Sequence, residues 1–207
     1  MSPPSPHNHH SCHIPDEKKP ISEETYQRLL SEIESIVSGE RNLVANLANC
    51  ASLFYHTLRE EFHHPINWFG FYLIDQKKNS EPSSQQDELV LGPFHGKLAC
   101  TRIKFGKGVC GTCIVSKQII VVKNVHEFSG HIACDSASNS EICVPLKLTR
   151  KVTTESGFSS EKKEEEENED LIGLIDVDST ALDQFSMEVD GKYLKQLATI
   201  LMKASDY

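Results

Sequence analysis

The sequence predicts an α+β domain in which a central, mainly antiparallel sheet carries N- and C-terminal helices packed on one face. Two segments, 22–62 and 186–203, repeat apolar residues at helical spacing. Between them, residues 67–178 contain six short apolar runs typical of strands and one glycine-rich helix start. A chain of 207 residues can bury one real core, so we predict a single domain over residues 21–207.

The helices are predicted from their ends and their apolar stripes. Ser22 can cap the first turn of a helix that Gly39 ends. A second helix is expected from Glu40 to Phe62, and a closing helix over residues 186–203. Each presents one apolar side, so we expect all three to cover the same face of the sheet.

The strands are predicted from period-two patterns. The first is Asn67–Asp75, whose alternation puts Trp68, Gly70 and Tyr72 on one face. A short helix is expected over Gly106–Lys117. The remaining predicted strands are Glu88–Gly92, Lys97–Ile103, Gln118–Val125, Glu141–Leu148 and Leu171–Asp178.

Two segments are expected to lie outside the packed core. Residues 1–20 are rich in histidine and proline and are predicted to be a disordered tail. Residues 151–170 are predicted to be an acidic loop insertion, because the run Glu161–Asp170 holds seven acids and two lysines.

The bulk composition excludes several classes of function. A net charge of −9 argues against a nucleic-acid partner, and no apolar run is long enough to span a membrane. The N-terminus lacks the apolar stretch of a secretory signal, so we expect a cytoplasmic protein, with the nucleus as the alternative. In such a compartment seven cysteines favour catalytic or metal-binding roles over a framework of structural disulfides.

Three of these cysteines are candidates for chemistry. Cys100, Cys110 and Cys134 lie in segments of glycine and small polar residues, where functional groups are commonly placed. Cys110 is expected at a helix N-terminus, a setting that lowers a thiol pKa. The residues alone therefore do not decide whether Cys110 or Cys134 is the nucleophile.

The other cysteines are less informative. Cys113 makes a single CxxC with Cys110, and no second CxxC or histidine pair completes a zinc site, so we expect no metal. Cys143 lies within a predicted strand and Cys50 within a helix, where both are expected to be structural or incidental.

The last predicted strand carries two carboxylates. Asp176 and Asp178 are two residues apart, so they should share a face with Ile172 and Leu174. Carboxylates on an apolar face are costly unless they are matched. If Glu141 lies beside them, repulsion between like charges should raise the pKa of at least one carboxyl group.

Together these segments resemble a GAF-type domain, specifically the free methionine-(R)-sulfoxide reductase family. The resemblance covers most of residues 67–180. The matching segments are Asn67–Tyr72, Leu91–Gly96, Ala99–Ile103, Gly106–Thr112, His131–Asp135, Ser138–Glu141 and Leu174–Ser179.

The resemblance implies an enzyme that reduces free L-methionine (R)-S-oxide to L-methionine. It implies that Cys134 attacks the sulfoxide sulfur, that Cys100 resolves the product as a disulfide, and that Cys110 is a third candidate catalytic cysteine. Positions that match the family's substrate pocket are Trp68, Tyr72, Glu141, Asp176 and Asp178. His131 could lower the pKa of Cys134 if the loop between them turns helically.

The resemblance also implies partners. Thioredoxin would reset the disulfide as electron donor, no cofactor would be bound, and the protein could form a homodimer. Cys113 and the long insertion before Leu171 depart from the family pattern. The alternative function is a non-catalytic GAF domain that senses a small ligand, although no effector segment follows residue 203.

Overall fold

The computed structural model describes residues 16–75, 88–132, 134–153 and 165–207, and it has the predicted α+β architecture. The chain order is two helices, three strands, a short helix, three strands and a helix, as the sequence predicted. The helices are α1 (Glu23–Ile36), α2 (Leu43–His56), α3 (Gly108–Ser116) and α4 (Lys192–Ala204). The strands are β1 (Ile66–Ile74), β2 (Glu88–Gly96), β3 (Arg102–Lys104), β4 (Ile120–Val122), β5 (Ser140–Thr153) and β6 (Glu165–Ser179).

The six strands form one sheet in the order β3-β2-β1-β6-β5-β4, and every neighbouring pair is antiparallel. The sheet separates two apolar cores. On one face α1, α2 and α4 pack over side chains such as Phe69, Ile142 and Val177. On the other face α3 and the loops around it pack over Trp68, Tyr72 and Leu174. The predicted segregation of the terminal helices to one face is therefore confirmed.

Helix ends follow local capping. The Ser22 side chain accepts a hydrogen bond from the Thr25 amide and starts α1, as expected. The second helix is shorter than predicted at its start, because Asn42 caps it and accepts from the Ala45 amide. A π-helical turn, Thr57–Glu61, extends its far end, and another, Met187–Gly191, precedes α4.

Three strand predictions need correction. β2 continues to Gly96, so the segment expected to be a strand from Lys97 supplies only β3, Arg102–Lys104. The predicted strand Gln118–Val125 is reduced to β4. Ile172 packs on the helical side, away from Asp176, because the pairing of β5 with β6 shifts register between Leu146 and Lys147.

The predicted loop insertion is partly strand. β5 and β6 continue as a long hairpin in which Lys147 pairs with Leu171 and Thr153 pairs with Glu165. Residues 151–153 and 165–170 were therefore wrongly assigned to a loop, and residues 154–164 lie outside the described residues. The acidic residues do not prevent a strand here, because backbone pairing with β5 continues through them to Glu165.

The predicted tail is too long by at least five residues. Asp16 accepts a hydrogen bond from the Thr180 hydroxyl at 2.6 Å, and Lys18 pairs with Asp183 at 2.9 Å. The Lys19 amide donates to the Gln184 side chain at 3.0 Å. Residues 16–20 thus pack against the turn after β6, whereas the prediction for residues 1–15 falls outside the described residues.

No helix in the described part of the chain has both the length and the apolar character needed to cross a membrane.

Candidate active site

A pocket opens on the face of the sheet opposite α1, α2 and α4. Its floor is the centre of the sheet, where β1, β6 and β5 lie side by side. Its walls are α3, the segment before β3 and the loop before β5. The residues that line it include Trp68, Tyr72, Cys110, His131, Cys134, Asp135, Ser138, Glu141, Asp176 and Asp178.

Cys134 and Cys100 form a disulfide at this pocket, with their Cα atoms 5.7 Å apart. Cys134 is exposed and Cys100 is half-buried, so the bridge lies within reach of solvent. The hydroxyl of Tyr72 donates a hydrogen bond to the Cys100 carbonyl at 2.9 Å and thereby links the bridge to the floor of the pocket. Of the thiols that could have met Cys134, the structure brings Cys100 to it.

Strand register brings the acidic side chains together. Asp178 lies opposite Trp68 on one side and Glu141 on the other, and Asp176 lies opposite Cys143. Glu141 and Asp176 are only 6% and 5% exposed, and Asp178 is half-buried. All three carboxyl groups therefore line one small, largely dehydrated space.

The carboxyl groups share that space with two thiols. The Cys143 thiol donates to Glu141 at 3.3 Å and to Asp176 at 3.4 Å, and it lies 3.7 Å from the sulfur of Cys110. The Cys110 thiol lies 3.7 Å from a Glu141 oxygen. We call these four residues, Cys110, Glu141, Cys143 and Asp176, the thiol–carboxyl cluster. Cys143 is therefore not incidental, and the period-two pattern could have revealed it, since it shares a face with Glu141.

Burial raises the pKa values of Glu141, Asp176 and Asp178. The pKa of Asp176 rises to about 6, chiefly because burial disfavours the charged form. The pKa values of Glu141 and Asp178 are raised well above their usual range by burial and, second, by the neighbouring charge of Asp176. The sequence correctly predicted the direction, but loss of hydration outweighs the repulsion that was expected to cause it.

Burial also distinguishes the surroundings of the two candidate thiols. A hydrogen bond with Cys143 acts to lower the pKa of Cys110, but burial and the charges of Asp176 and Glu141 raise it well above its usual value. The expectation of a depressed pKa at the helix N-terminus is thus wrong, because carboxyl groups and dehydration oppose the helix dipole. A thiol held in its protonated form is a poor nucleophile, and this favours the exposed Cys134.

The aromatic wall is built around a glycine. The Trp68 and Tyr72 rings stack with centroids 6.0 Å apart, and Trp68 also stacks on Phe94 at 5.3 Å. The Trp68 indole nitrogen donates to the Lys97 carbonyl at 3.2 Å. A Cβ atom at Gly70 would lie 2.6 Å from the Trp68 ring and 2.4 Å from the Phe94 Cβ, so the indole can lie over this position only because it is glycine.

The loop before β5 is held by residues that sequence reasoning did not single out. Asn67 donates to Asp135 at 3.1 Å and to the Ser138 hydroxyl at 2.9 Å. Burial acts to raise the pKa of Asp135, but hydrogen bonds from the Ala137 amide, Asn67 and Lys97 lower it overall. Asp135 therefore stays ionised and holds the loop that carries Cys134. The signal that could have found Asn67 is its place at the start of the first predicted strand.

His131 does not take the position expected of it. The described residues between 129 and 138 form bends and turns rather than a helix, and His131 lies 3.9 Å from a Glu141 oxygen. Burial, and second the nearby His126, lower its pKa, so the ring is neutral near pH 7. A neutral imidazole gives no electrostatic help to a thiolate at Cys134.

The structure thus brings together all eight residues singled out from the sequence. They are Trp68, Tyr72, Cys100, Cys110, Cys134, Glu141, Asp176 and Asp178. Cys113 is buried on α3 and its thiol donates to the Gln118 carbonyl at 3.2 Å. Cys50 is buried in the core on the other side of the sheet.

Comparison with known proteins identifies the family. The GAF domain model matches residues 22–204. The chain is 39% identical over 180 residues to the free methionine-R-sulfoxide reductase of Escherichia coli, covering 87% of this chain and 88% of that protein. It is 35% identical over 196 residues to the enzyme of the same name from Saccharomyces cerevisiae, covering 95% of this chain and 94% of that one.

A solved structure that resembles this chain in both fold and sequence belongs to the same family. The free methionine-R-sulfoxide reductase of Neisseria meningitidis, determined in complex with its substrate, is 40% identical and superposes with a TM-score of 0.67. The match covers 93% of this chain and 95% of that one. The chain belongs to the free methionine-R-sulfoxide reductase family of GAF-domain proteins.

Proposed function

We propose that this protein reduces free L-methionine (R)-S-oxide to L-methionine, with Cys134 as nucleophile and Cys100 as resolving thiol. The observation that carries the proposal is the Cys100–Cys134 disulfide beside a pocket walled by Glu141, Asp176 and Asp178. A disulfide is the product expected when one thiol of a pair has reduced a sulfoxide. The names of the relatives, which cover nearly the whole chain, support the same substrate.

The pocket suits each part of that substrate. The ammonium group of a free amino acid would pair with the carboxylate of Asp176, whose pKa of about 6 leaves it largely ionised at pH 7. No lysine or arginine among the described residues pairs with Asp176 or Asp178. The stacked rings of Trp68 and Tyr72 would contact the methyl group and the sulfur, which becomes cationic during the reaction. A peptide bond would remove the ammonium charge, so we expect peptide-bound methionine sulfoxide to be refused.

A buried carboxylic acid would supply the proton for the chemical step. The Cys134 thiolate attacks the sulfoxide sulfur, and the departing oxygen must be protonated because oxide is a very poor leaving group. Burial keeps Glu141 protonated, so it can donate to that oxygen. Attack forms a bond between the Cys134 sulfur and the substrate sulfur as the protonated oxygen leaves as water. A water molecule then attacks the Cys134 sulfur and breaks that bond, which leaves a sulfenic acid on Cys134 and releases the thioether of methionine.

The cycle closes through two exchange steps. The Cys100 thiol attacks the sulfenic acid, which forms the disulfide and releases water. A dithiol reductant of the thioredoxin class then reduces the disulfide and becomes oxidised itself. The exposure of Cys134 in the disulfide would give such a reductant direct access. No bound cofactor is needed, and the homodimer stays a prediction.

The proposal is tested by coupled NADPH consumption with thioredoxin and thioredoxin reductase. We expect turnover of free L-methionine (R)-S-oxide, and at least about 100-fold less with the (S) epimer or with an N-acetylated substrate, because each loses a buried contact. Cys134→Ser should abolish turnover, and Cys113→Ser is the matched control, because the Cys113 thiol is outside the disulfide and donates to the Gln118 carbonyl. Equal rates on both epimers, or activity that survives Cys134→Ser, would refute the proposal.

The resolving role is tested separately with Cys100→Ser. Without a reductant in the buffer, this variant should form one methionine per chain and leave a sulfenic acid that a dimedone probe traps on Cys134. Mass spectrometry locates the adduct. An adduct on Cys110 instead would transfer the nucleophile's role to the buried thiol.

A further inference from the structure

We propose that the thiol–carboxyl cluster is a binding site for a thiophilic divalent cation of the zinc class, which excludes substrate when bound. Only the effect of the ion on substrate binding rests on the proposed function, because the cluster shares Asp176 and Glu141 with the substrate pocket. Each of the four residues offers one donor atom, and these atoms all lie within 4.8 Å of one another.

The spacing of the donors matches a tetrahedral metal site. Zinc binds thiolate sulfur at about 2.3 Å and carboxylate oxygen at about 2.1 Å, so tetrahedral edges are roughly 3.8 Å between sulfurs and 3.6 Å from sulfur to oxygen. The two sulfurs of the cluster are 3.7 Å apart. The sulfur–oxygen distances from Cys143 are 3.3 and 3.4 Å, and that from Cys110 is 3.7 Å. The site therefore needs little rearrangement to bind such an ion.

Rigid elements hold these donors. Cys143 and Asp176 are directly opposed on β5 and β6, and Glu141 is two residues before Cys143 on the same face. Cys110 comes from α3, where any Cβ at Gly111 would lie 2.5 Å from the Lys104 carbonyl, so the helix is packed tightly in place. Donors on a central sheet and a tightly packed helix are more precisely placed than donors on loops.

The charge of the cluster favours a cation. All four residues are at most 6% exposed, and among the described residues no lysine or arginine forms an ion pair with Glu141 or Asp176. Binding would release one proton from each thiol and one from Glu141 to solvent, leaving two thiolates and two carboxylates around one divalent ion. Thiolate pairs select soft or borderline ions over magnesium or calcium.

The metal and the substrate would exclude each other. The carboxyl groups that we assign to the substrate become metal ligands, so the ion acts as a reversible inhibitor competitive with methionine sulfoxide. Cys100 and Cys134 are not ligands, so the site persists when their disulfide is formed. Cys143, which the proposed reaction does not use, would serve as a metal ligand.

The test is a titration of the full chain with Cd²⁺, whose thiolate complexes absorb in the ultraviolet. Every protein carries Cys12→Ser, so that no thiol of the histidine-rich segment contributes, and has its Cys100–Cys134 disulfide formed. We expect a thiolate band that saturates at one Cd²⁺ per chain and is displaced by Zn²⁺ but not by Mg²⁺. Cys143→Val, which preserves size and strand propensity, should lose the band, and the control Cys113→Ser should keep it.

Circular dichroism of each variant separates loss of the site from loss of the fold, and Cys110→Ala gives a second ligand deletion. The proposal would be overturned if the folded protein that carries only Cys12→Ser gave no thiolate band with Cd²⁺. A band that survives both Cys143→Val and Cys110→Ala would also overturn it. Because the band is measured without substrate, its absence alongside normal reductase turnover would refute only the metal site. A band without turnover would refute only the proposed reaction.

Discussion

At the scale of single residues, the pocket places carboxyl groups where the free protein is least able to hydrate them. Asp176 and Glu141 are almost fully buried, and their raised pKa values record the cost of charging them there. A substrate ammonium group would offset that cost when it binds. Substrate affinity and the stability of the free protein are therefore opposed at these positions.

Asp176→Asn should remove part of that cost. A carboxyl group whose folded-state pKa, about 6, lies above its unfolded value of 3.8 destabilises the fold as pH rises between those values. Two units correspond to on the order of 3 kcal/mol. Urea unfolding should therefore show a smaller loss of stability from pH 4 to pH 7 in the variant than in the natural protein.

The same variant should bind substrate worse. Loss of one partner of a buried charge pair costs roughly 2–5 kcal/mol, so KM should rise at least about 30-fold. Asp183→Asn is the control, because the exposed Asp183 pairs with Lys18 and its pKa is lowered, which gives the opposite pH trend. An unchanged KM together with an unchanged pH profile in Asp176→Asn would contradict this account of the pocket.

At the scale of elements, β1 depends on Gly70 for the aromatic wall. Gly70→Ala would place a methyl group within 2.6 Å of the Trp68 ring, so the indole must move. Overpacking of this kind costs about 1–3 kcal/mol. Trp68 is the single tryptophan of the chain, so its fluorescence should change and KM should rise.

Gly92→Ala on the neighbouring strand provides the matched control. Its added methyl group would approach the Phe71 carbonyl at 3.1 Å and not the Trp68 ring, so the emission spectrum should stay unchanged. Identical spectra for the natural protein and Gly70→Ala would show that the indole does not depend on this glycine.

The hairpin of β5 and β6 is expected to be dispensable beyond its base. Lys147 pairs with Glu169 at 3.2 Å and Arg150 with Asp170 at 3.0 Å, and these ion pairs hold the register of the part of the hairpin nearest the pocket. Replacement of residues 151–167 by Asn-Gly would join Arg150 to Asn168, which are paired, through a favoured two-residue turn.

This shortened protein should keep kcat/KM within about twofold and its melting temperature within a few degrees, since changes away from packed sites have small effects. Coupled NADPH consumption measures kcat/KM, and thermal unfolding measures the melting temperature. A tenfold loss of activity would mean that the acidic segment contributes to the site, contrary to its distance in register from Glu141.

At the scale of the whole molecule, one sheet keeps two cores apart and joins distant parts of the chain at the pocket. The disulfide links residues separated by 34 positions, so it constrains the unfolded chain. The loop-entropy relation gives a stabilisation of about 4 kcal/mol for such a bridge. Each catalytic cycle would therefore alternate between a more and a less stable form.

Urea unfolding of oxidised and reduced protein should reveal this difference. The oxidised form should unfold at a higher midpoint, and a double variant, Cys100→Ser with Cys134→Ser, should have the same midpoint in both buffers. Equal midpoints for the two forms of the natural protein would show that the bridge contributes nothing to global stability.

Local sequence determined most of the elements and the face that most of their side chains occupy. Alternation along β1 put Trp68 and Tyr72 on one side, and Ser22 set the start of α1, because strand period and capping act over a few residues. Local sequence failed where strand pairing decides which face a residue occupies. Ile172 is the example, because a register shift turns it to the other face of the sheet. It failed also for residues 165–170, whose charges resemble a loop but whose backbone pairs in a hairpin.

The sequence by itself determined the family, the fold class and most of the residues that meet in the pocket, because these depend on motifs and periodicity. Only the tertiary structure decided how those residues interact. It joined Cys134 to Cys100, buried Cys110 among carboxyl groups, turned His131 toward Glu141 and brought Cys143 into the site. Distance, burial and hydration arise from packing between segments far apart in the chain, and no local pattern encodes them.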